Sequence, residues 1–385
     1  MANQVRLGII GVGGMGSYHA NYLQAGKVAR CSLAAVCDID PKRLEPFPDL
    51  PRFSDSRELI RSGKVDAVLI ATPHYFHTTI GIDALEQGLH VLVEKPISVH
   101  KADCERLIAA HRKRKQIFAA MFNQRTVAAY VKLKSMLDAG ELGEIFRVNW
   151  IVTDWFRTEA YYASGGWRAT WSGEGGGVLL NQCPHNLDLL TWLCGMPTRV
   201  HGFCGLAVRH SIEVEDRVTA YLEFRNGATG VFVTTTCEAP GTNRLEIAGE
   251  RGRIVIENNR FSFVRNEIPM TEFSRTAKGG FECPPVWNIE IPAPCSGPQH
   301  PAITQNFVDA ILDDVPLIAP AAEGIRSVEL ANAMLLSTLL NRAIDIPLDA
   351  AVFEGELKKL IANSKFRKDA VKERNEGMGA SFKNV

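Results

Sequence analysis

Residues 5–16 read Val5-Arg-Leu-Gly-Ile-Ile-Gly-Val-Gly-Gly-Met-Gly16, an apolar run that breaks into closely spaced glycines. Gly11, Gly13 and Gly16 give the pattern G-x-G-x-x-G directly behind a predicted buried strand, and a helix is predicted from Ser17 to Gln24. In this pattern the first glycine permits a tight turn, the second lets a pyrophosphate approach the backbone, and the third lets helix and strand pack closely. The helix N-terminus also presents free N–H groups to phosphates. The stretch therefore predicts a strand–turn–helix unit that binds a dinucleotide.

An acidic residue at the end of the second predicted strand narrows the choice of dinucleotide. The apolar run Leu33-Ala-Ala-Val-Cys37 is followed by Asp38, about 20 residues after the last glycine, which is the usual spacing. A carboxylate there accepts hydrogen bonds from both ribose hydroxyls of NAD and repels the 2′-phosphate of NADP. Lys42 and Arg43 follow closely and would relieve part of that repulsion. The sequence thus predicts NAD as the cofactor.

Composition excludes several classes of protein. The chain has 385 residues, more than one hydrophobic core usually supports, so we expect two domains. Lys plus Arg and Asp plus Glu both number 43, a balance that argues against a general binder of nucleic acid or anionic membranes. No apolar stretch approaches the roughly 18 residues of a membrane span, and no signal peptide is expected. The nine cysteines form no C-x-x-C pair and are expected to be reduced core residues of a cytoplasmic protein.

The order of the predicted elements changes near residue 123. Up to that point strands alternate with single helices, which predicts a parallel, doubly wound sheet of the Rossmann type. Beyond it the sequence predicts a series of strands, with one helix over Pro184–Leu193 and an Asn226-Gly227 hairpin turn. This pattern indicates an α+β domain with a large, mainly antiparallel open sheet. We expect a nucleotide-binding domain over residues 1–123, a substrate-binding domain over 124–364 and a polar tail over 365–385.

Three local predictions concern single segments. Ser98 is predicted to cap the helix that runs to Ala110, because a serine side chain commonly accepts a hydrogen bond from the first turn. Residues 267–300 are rich in proline and glycine and are predicted to form a long loop. Two helices are then predicted over Ile303–Leu312 and Ala322–Leu340.

Two positions are candidates for acid–base chemistry. Glu94-Lys95-Pro96 follows a short predicted strand, so Lys95 lies at the carboxyl end of a parallel strand, where ligands bind in open α/β sheets. A lysine there can donate to a substrate hydroxyl, but from position alone an ordinary surface lysine is an equally good interpretation. The cluster Gly175–Asp188 places His185 four residues after Asn181, which a helical path would put on one face. Histidine exchanges a proton near neutral pH, although a structural histidine at a helix start is the commoner case.

The chain as a whole resembles the Gfo/Idh/MocA dehydrogenases, named after glucose–fructose oxidoreductase, inositol dehydrogenase and a rhizopine-catabolism protein. The segments that carry the resemblance are Gly11–Gly16 with Asp38, Ala71-Thr-Pro-His74 with His77, Gly88–Pro96, Asn123-Gln-Arg125, Gly140–Gly143, Gly175–Asp188, Asn306–Ala310 and Pro320–Gly324. The resemblance implies that Lys95 and His185 meet at the nicotinamide in the cleft between the domains. It also implies a homo-oligomer formed through the C-terminal sheet. The expected cofactor contacts are Gly11, Gly13, Gly14, Met15, Gly16, Asp38, Thr72, Pro73, His77, Glu94 and Lys95.

Asn181 departs from the family pattern. Many members carry Asp there, in a Lys…Asp…His set. An amide orients a substrate hydroxyl but cannot take its proton, so Asn181 is expected to position substrate while His185 and Lys95 do the acid–base work. Asp188 either tunes His185 or simply favours the N-terminus of its helix. The residues Asn-Gln-x-Pro-His, with Trp167-Arg-Ala-Thr-Trp171 upstream, resemble the branch that oxidises ring hydroxyls of glycosides, in some members at C3.

The substrate pocket should contain side chains that stack on a sugar ring or donate to its hydroxyls, and for at least half of the candidates an ordinary place in the core is the alternative. The candidates are Arg125, Trp155, Tyr161, Trp167, Arg168, Asn181 and His185. No metal site is expected, because His201 and Cys204 lack partners at zinc spacing. The sequence therefore predicts an NAD-dependent dehydrogenase of a sugar, glycoside or cyclitol. A keto-sugar or small-carbonyl reductase and a non-catalytic regulator that binds NAD and a sugar remain alternatives.

Overall fold

The first part of the chain forms a six-stranded parallel sheet with the strand order β3-β2-β1-β4-β5-β6. The computed structural model describes residues 4–112 and 115–368, so the predicted tail lies outside the described residues from 369 onward. The strands are β1 Val5–Ile10, β2 Cys31–Cys37, β3 Arg52–Phe53, β4 Ala67–Ile70, β5 His90–Val93 and β6 Phe118–Ala120. The helices between them are α1 Gly14–Gln24, α2 Ser56–Arg61, α3 Tyr75–Glu86 and α4 Lys101–His111. The predicted doubly wound parallel sheet is confirmed.

The position of β1 in this sheet places the cofactor-binding crevice. The chain moves outward from β1 to β2 and β3 on one side, and then returns to β4, β5 and β6 on the other. Open α/β sheets bind ligands beyond the carboxyl ends of the strands at such a reversal. The strands read as continuous apolar runs because helices cover both faces, and every residue of β4 is buried.

The second part of the chain forms a nine-stranded sheet with the strand order β14-β13-β12-β11-β7-β10-β9-β8-β15. Only the β7–β10 pair is parallel within this sheet of described residues, which confirms the mainly antiparallel prediction. Its strands are β7 Ile145–Val152, β8 Arg199–Leu206, β9 Glu215–Glu223, β10 Thr229–Thr235, β11 Asn243–Gly249, β12 Gly252–Glu257, β13 Arg260–Asn266, β14 Val286–Glu290 and β15 Ile344–Asp345. The helices are α5 Ala128–Asp138, α6 Glu159–Ala163, α7 Pro184–Cys194, α8 Met270–Thr276, α9 Gln299–Asp313, α10 Ile325–Leu340 and α11 Ala350–Asn363.

Two of the local predictions are wrong. The helix α4 is capped by His100, whose side chain accepts from the backbone N–H of Asp103, while the Ser98 hydroxyl is hydrogen-bonded to Thr78. Residues 267–300 are not one long loop, because they contain α8 and the edge strand β14. All five residues of β14 are exposed, and the strand lies among the proline- and glycine-rich residues that led to the loop prediction.

The helix α9 lies outside the first 123 residues but belongs to the first hydrophobic core. Ile303, Phe307 and Val308 are buried in the same cluster as β1, β4 and β5, and α9 contacts β1 and β5 directly. Thr304 is hydrogen-bonded to Tyr22 of α1 at 2.6 Å. The second core fills the space between the large sheet and the helices α5, α7 and α10. The predicted domain boundary stays a prediction, but the chain clearly returns to the first core after building the second.

The cysteines and the helices bear on two further predictions. All nine cysteines are free thiols, as expected, although Cys283 is exposed rather than part of a core. Among the described residues, no helix combines the length and the apolar character that a membrane crossing requires. The cytoplasmic location stays a prediction.

Candidate active site

The glycines after β1 leave no space for side chains. A Cβ at Gly16 would lie 1.8 Å from the carbonyl oxygen of Gly11, and one at Gly11, which has a φ of +88°, would lie 2.8 Å from the carbonyl oxygen of Ala71. The helix α1 starts at Gly14 with Gly13 as its N-cap, and no side chain caps it. The N–H groups of the first turn, which includes Met15, therefore have no intrahelical partner. Bare backbone at a helix N-terminus suits the pyrophosphate of a dinucleotide.

Asp38 lies beside this turn, where the sequence predicted a ribose-binding carboxylate. Its Oδ2 accepts from the N–H of Val12 at 2.9 Å and its Oδ1 accepts from the N–H of Asp40 at 2.9 Å. The guanidinium of Arg43 is 3.8 Å from Oδ2. The carboxylate is therefore fixed against the glycine turn, and the pair with Arg43 shows that a cation does lie close to it. The residues present fit NAD.

The segment after β4 ties two strand ends together. His77 lies in the first turn of α3, and its ring nitrogens are each 2.8 Å from a carbonyl oxygen, that of Thr72 and that of Pro96. Thr72 Oγ1 is buried and has no hydrogen-bond partner among the described residues. Thr72 therefore lies next to Gly11, and His77 lies between this segment and the one that follows β5, while the cofactor contact of Pro73 stays a prediction.

Glu94 is buried at the end of β5 and is held by the first helix. Its Oε1 is 2.7 Å from Nε2 of His19, and its Oε2 accepts from the N–H of Lys95 at 3.1 Å. Burial alone would raise the pKa of Glu94, but the hydrogen bond to His19 and the nearby charges outweigh it and lower the pKa to about 2. Glu94 is thus an anion at all physiological pH values and forms part of the frame around Lys95.

Lys95 crosses from the first domain to the second. Its Nζ donates to the backbone carbonyl of Asn181 at 2.7 Å. Burial lowers the pKa of Lys95, and the carboxylates of Glu94 and Glu174 oppose that shift. An ammonium carries three N–H groups, so two remain to donate to a substrate oxygen. The structure places Lys95 as predicted, after the carboxyl end of the parallel strand β5, and brings it into contact with Asn181 of the glycine–histidine cluster.

His185 lies at the start of α7, directly after Pro184, and its Nδ1 is buried without a hydrogen-bond partner among the described residues. Burial lowers the pKa of His185 well below its usual value, and the charge of Lys95 and the neighbouring His300 lower it further. The imidazole is therefore neutral near pH 7 and can accept a proton. The charge of Lys95 thus acts on His185, and the carbonyl oxygen that accepts from Lys95 belongs to Asn181, four residues before His185.

The three glycines before α7 bring the chain against β9. A Cβ at Gly177 would lie 1.9 Å from the carbonyl oxygen of Glu215, and Gly175 has a φ of +83°. The Oε1 of Glu215 accepts from the N–H groups of Gly177 and Leu179 at 2.8 and 3.1 Å. Burial raises the pKa of Glu215 to about 7. Sequence analysis missed this acid because nothing near residue 215 marks it. It holds the loop that carries Asn181 and His185.

Four predicted substrate residues form one polar cluster on the second domain. The hydroxyl of Tyr161 donates to Oδ1 of Asn181 at 3.0 Å and accepts from the guanidinium of Arg168 at 3.1 Å. The same guanidinium lies over the rings of Tyr161 and Trp167, 4.8 and 4.6 Å from their centroids. Trp167 in turn meets His74 of the first domain edge to face. The structure thus brings together the aromatic faces and donors that a sugar pocket needs.

Arg125 does not belong to that cluster. Its guanidinium is almost completely buried and donates to both carboxylate oxygens of Asp188, at 2.6 and 2.8 Å, and to Glu323 at 2.6 Å. The prediction that it binds substrate is therefore not supported, since its donors are used within the protein. Asp188 was expected either to tune His185 or to favour the N-terminus of its helix. Its carboxylate instead pairs with Arg125 and makes no hydrogen bond to His185. The half-buried Trp155 packs against the second core, and its Nε1 has no partner among the described residues.

One group of side chains has the composition of a metal site. The ligand atoms of His210, Asp216 and Cys237 lie within 4.8 Å of one another. Asp216 already accepts from the N–H groups of Val208 and Arg209, and Nε2 of His210 is 2.9 Å from the carbonyl oxygen of Arg157. These bonds account for the cluster as a loop anchor. The prediction that the protein has no metal stays a prediction.

Comparison with known proteins agrees with this arrangement. Residues 5–122 match the family described as "Oxidoreductase family, NAD-binding Rossmann fold". Residues 130–255 match the "GFO/IDH/MocA C-terminal domain". It is 27% identical to myo-inositol 2-dehydrogenase of Thermotoga maritima, over 66% of this chain and 76% of that protein. It is 29% identical to scyllo-inositol 2-dehydrogenase (NAD(+)) of Bacillus subtilis, over 69% of this chain and 77% of that protein.

A solved structure extends the similarity to the whole fold. The WlbA dehydrogenase from Chromobacterium violaceum, determined in complex with NADH and UDP-GlcNAcA, has a TM-score of 0.78 and 28% identity, with 90% of this chain and 97% of that chain covered. The family matches lie on the two sheets described above, one on each. The chain therefore belongs to the Gfo/Idh/MocA family of oxidoreductases, and its first domain is the NAD-binding Rossmann domain of that family.

Proposed function

We propose that the protein is a dehydrogenase that oxidises a secondary ring hydroxyl of a sugar, glycoside or cyclitol and uses NAD as the acceptor. The observation that carries the proposal is the pairing of Lys95 with His185. The half-buried ammonium of Lys95 donates to the carbonyl oxygen of Asn181, and the buried imidazole of His185, which is neutral near pH 7, lies four residues further on at the start of α7. The names of the inositol dehydrogenases among its relatives support the same class of substrate.

The two side chains divide the work on a substrate hydroxyl. The NAD cofactor, when bound, supplies the hydride acceptor. The imidazole of His185, which is neutral near pH 7, takes the hydroxyl proton. The ammonium of Lys95 donates a hydrogen bond to the same oxygen and stabilises the negative charge that develops there as the proton leaves. In the reverse direction the same groups return a proton to the carbonyl oxygen.

The polar cluster of Tyr161, Trp167, Arg168 and Asn181 favours a polyhydroxylated ring over a linear hydroxy acid. Aromatic faces stack on the apolar face of a sugar ring, and the guanidinium and amide donate to its hydroxyls. Arg168 could also bind a carboxylate, which is how a hydroxy-acid substrate would fit. Within the ring substrates, the resemblance of the Asn181–His185 segment to glycoside-oxidising relatives favours C3 of a glycoside as the reacting position.

A substrate screen tests the proposal directly. Purified protein is mixed with NAD and with hexoses, glycosides, inositols and 2-hydroxy acids, and the formation of NADH is followed by absorbance. Activity on ring substrates is expected, and NMR of the product then locates the carbonyl. Activity confined to the acids contradicts the proposal. Turnover of keto-sugars with NADH alone would favour a reductase, and tight NAD binding without turnover of any substrate in either direction would favour a regulator.

We further infer that the outer face of the large sheet binds a second copy of the chain. Ile151, Phe203, Tyr221 and Val231 project from four adjacent strands on this face and are each more than a third exposed. A group of exposed apolar side chains on one sheet face is typical of an interaction surface. Phe203→Glu combined with Tyr221→Glu is expected to lower the mass measured by sedimentation, whereas Phe281→Glu, at a fully exposed loop residue, is expected to leave it unchanged. A wild-type monomer would contradict the inference.

A further inference from the structure

Glu174 is a buried acid next to the proposed catalytic residues, and no motif includes it. It precedes the three glycines, and only 2% of its surface is exposed. Both carboxylate oxygens accept hydrogen bonds: Oε1 from the side-chain amide of Asn181, and Oε2 from the backbone N–H of Ala169 at 2.5 Å. A carboxylate accepts at both oxygens and donates at neither, so it matches two facing donors in a way that an amide cannot.

The bond to Glu174 decides which way the amide of Asn181 points. Because Nδ2 of Asn181 faces the carboxylate, Oδ1 faces the other way and accepts from the Tyr161 hydroxyl at 3.0 Å and from Nε2 of Gln182 at 3.1 Å. The Tyr161 hydroxyl is then left to accept from Arg168. The orientation of the whole polar cluster therefore depends on one carboxylate that lies behind it.

Glu174 also provides negative charge to a group of cations. The positive charges that act on it are those of Arg168, Lys95 and Lys368. Burial raises the pKa of Glu174, and these cations together with its two hydrogen bonds oppose the shift. The side chain of Asn181 carries no charge. The negative charge in this part of the second domain thus comes from the residue behind the amide.

Among the groups that act on Lys95, Glu174 is the carboxylate that the second domain supplies. The strand end that carries Lys95 supplies Glu94, while Arg157 and Arg168 act in the opposite direction. Four histidines also face it, and burial lowers the pKa of each of them, so they are neutral near pH 7: His74, His77, His185 and His300. Loss of the Glu174 charge would therefore leave Lys95 facing two guanidinium groups with Glu94 as its remaining counter-ion.

We propose that Glu174 is a positioning residue of the reaction, which acts through Asn181 and Lys95 without touching substrate. Its carboxylate and the amide of Asn181 form a complementary pair that aims the polar cluster and keeps Lys95 in its ammonium form. This inference rests on the proposed function, because it assigns a role in that reaction.

Complementarity within the pair predicts a specific pattern of loss and rescue. In Glu174→Gln, an amide must face both the Asn181 amide and the N–H of Ala169, so one donor meets another donor. In Asn181→Asp, two carboxylates face each other and must share a proton or separate. In E174Q/N181D, the glutamine oxygen accepts from Ala169 and its nitrogen donates to the new aspartate, whose other oxygen still accepts from Tyr161. Every hydrogen bond is restored and the net charge is unchanged.

Steady-state kinetics of the three variants with NAD and the substrate found in the screen test the proposal. We expect each single variant to lower kcat by about ten- to a hundredfold and the double variant to recover most of that loss, since directly coupled pairs are strongly non-additive. The alkaline limb of the pH profile should move to lower pH in Glu174→Gln, because Lys95 loses its proton more easily, and should return in the double variant. Glu272→Gln, at an exposed acid of α8, is the control and should match wild type.

A second measurement does not depend on turnover. The rate at which an amine-specific reagent modifies Lys95 is measured by mass spectrometry across pH, and it reports the ionisation of that amine directly. A lower apparent pKa in Glu174→Gln and a restored one in E174Q/N181D support the proposal even if no substrate has been found. Additive losses in the single and double variants, or an unchanged ionisation of Lys95 in variants that still melt cooperatively and bind NADH, would overturn it. If Glu174→Gln does not fold, Asn181→Asp and the double variant still decide the question.

Discussion

The two sides of the candidate site are built by opposite means. On the first domain, both carboxylate oxygens of Asp38 and of Glu94 have hydrogen-bond partners, His77 lies between two carbonyl oxygens, and bare backbone is available to a pyrophosphate. On the second domain, three buried polar atoms have no hydrogen-bond partner among the described residues: His185 Nδ1, Trp155 Nε1 and Gln182 Oε1. At the cofactor crevice of the first domain, Thr72 Oγ1 is also buried without such a partner.

This difference separates binding from chemistry. Backbone that is fixed by glycines and by fully engaged side chains can hold a dinucleotide whatever lies across the cleft. Buried polar atoms without partners are costly in a folded protein, and we propose that a ligand completes the hydrogen bonding of the three such atoms on the second domain. Cofactor binding should therefore survive changes that abolish turnover, and three experiments can break or sharpen that contrast.

The largest effect is expected from removing either proposed catalytic side chain. Lys95→Met and His185→Ala should each lower kcat/KM by about 10²–10⁴-fold, the usual contribution of a general acid or base. NADH binding, followed by its fluorescence, should remain, because the glycine turn and Asp38, which are expected to hold the pyrophosphate and the ribose, are unchanged in both variants. Lys64→Ala removes an exposed lysine elsewhere on the first domain and should have no effect. Near-normal turnover in either site variant, or loss of NADH binding in both, would break the contrast.

Two buried acids, one on each side of the site, should make the stability of the protein depend on pH in opposite ways. The pKa of Glu215 is raised to about 7 from 4.5, so the folded protein holds a proton that the unfolded chain releases, and stability falls as pH rises from about 4.5 to 7. The pKa of Glu94 is lowered to about 2, so its contribution is present above about 4.5 and is lost as pH falls towards 2. Each shift corresponds to about 3 kcal/mol.

Chemical denaturation at a series of pH values measures both effects. Glu215→Gln should reduce the loss of stability that occurs as pH rises from about 4.5 to 7. Glu94→Gln should reduce the loss of stability that occurs as pH falls below about 4.5. Glu215 belongs to the substrate side and Glu94 to the cofactor side. The free energy of unfolding should therefore fall with rising pH because of Glu215 and rise with pH because of Glu94. Identical pH profiles for Glu215→Gln and wild type would show that this carboxyl does not hold its proton in the folded protein.

The smallest effect is expected at Asp38. Asp38→Ala should narrow the preference for NAD over NADP by about tenfold, since it removes one charge that would face the 2′-phosphate. Arg43 lies 3.8 Å from that carboxylate and already offsets part of the repulsion, which limits the change. Asp49→Ala, at an exposed acid nearby, is the control. Comparable kcat/KM values for the two cofactors in the wild type would contradict the assignment.

The cofactor side could be predicted from sequence because its residues are close together in the chain. The glycines and Asp38 follow two consecutive strands, and both strands are continuous apolar runs. The substrate side depends on contacts between distant segments. Arg125 finds its partners 63 and 198 residues further along the chain, so nothing local distinguishes it from a substrate ligand.

The missed acids have the same explanation. Glu215 meets Gly177 across 38 residues, and its role follows from a close approach of two backbones that composition does not encode. Glu174 lies only seven residues from Asn181, so a signal was within reach. A carboxylate beside a glycine cluster is, however, a common surface feature, and only its burial shows that it serves the site.

The contact of α9 with the first sheet has a consequence for how the protein is made. All six strands of that sheet have been synthesised once Ala120 is translated, but Ile303, Phe307 and Val308, which complete its core, come much later. Until then the nascent first domain exposes the apolar surface that α9 will cover. The second sheet is synthesised during that interval, so the NAD-binding half, although first in sequence, is completed only after most of the substrate-binding half exists.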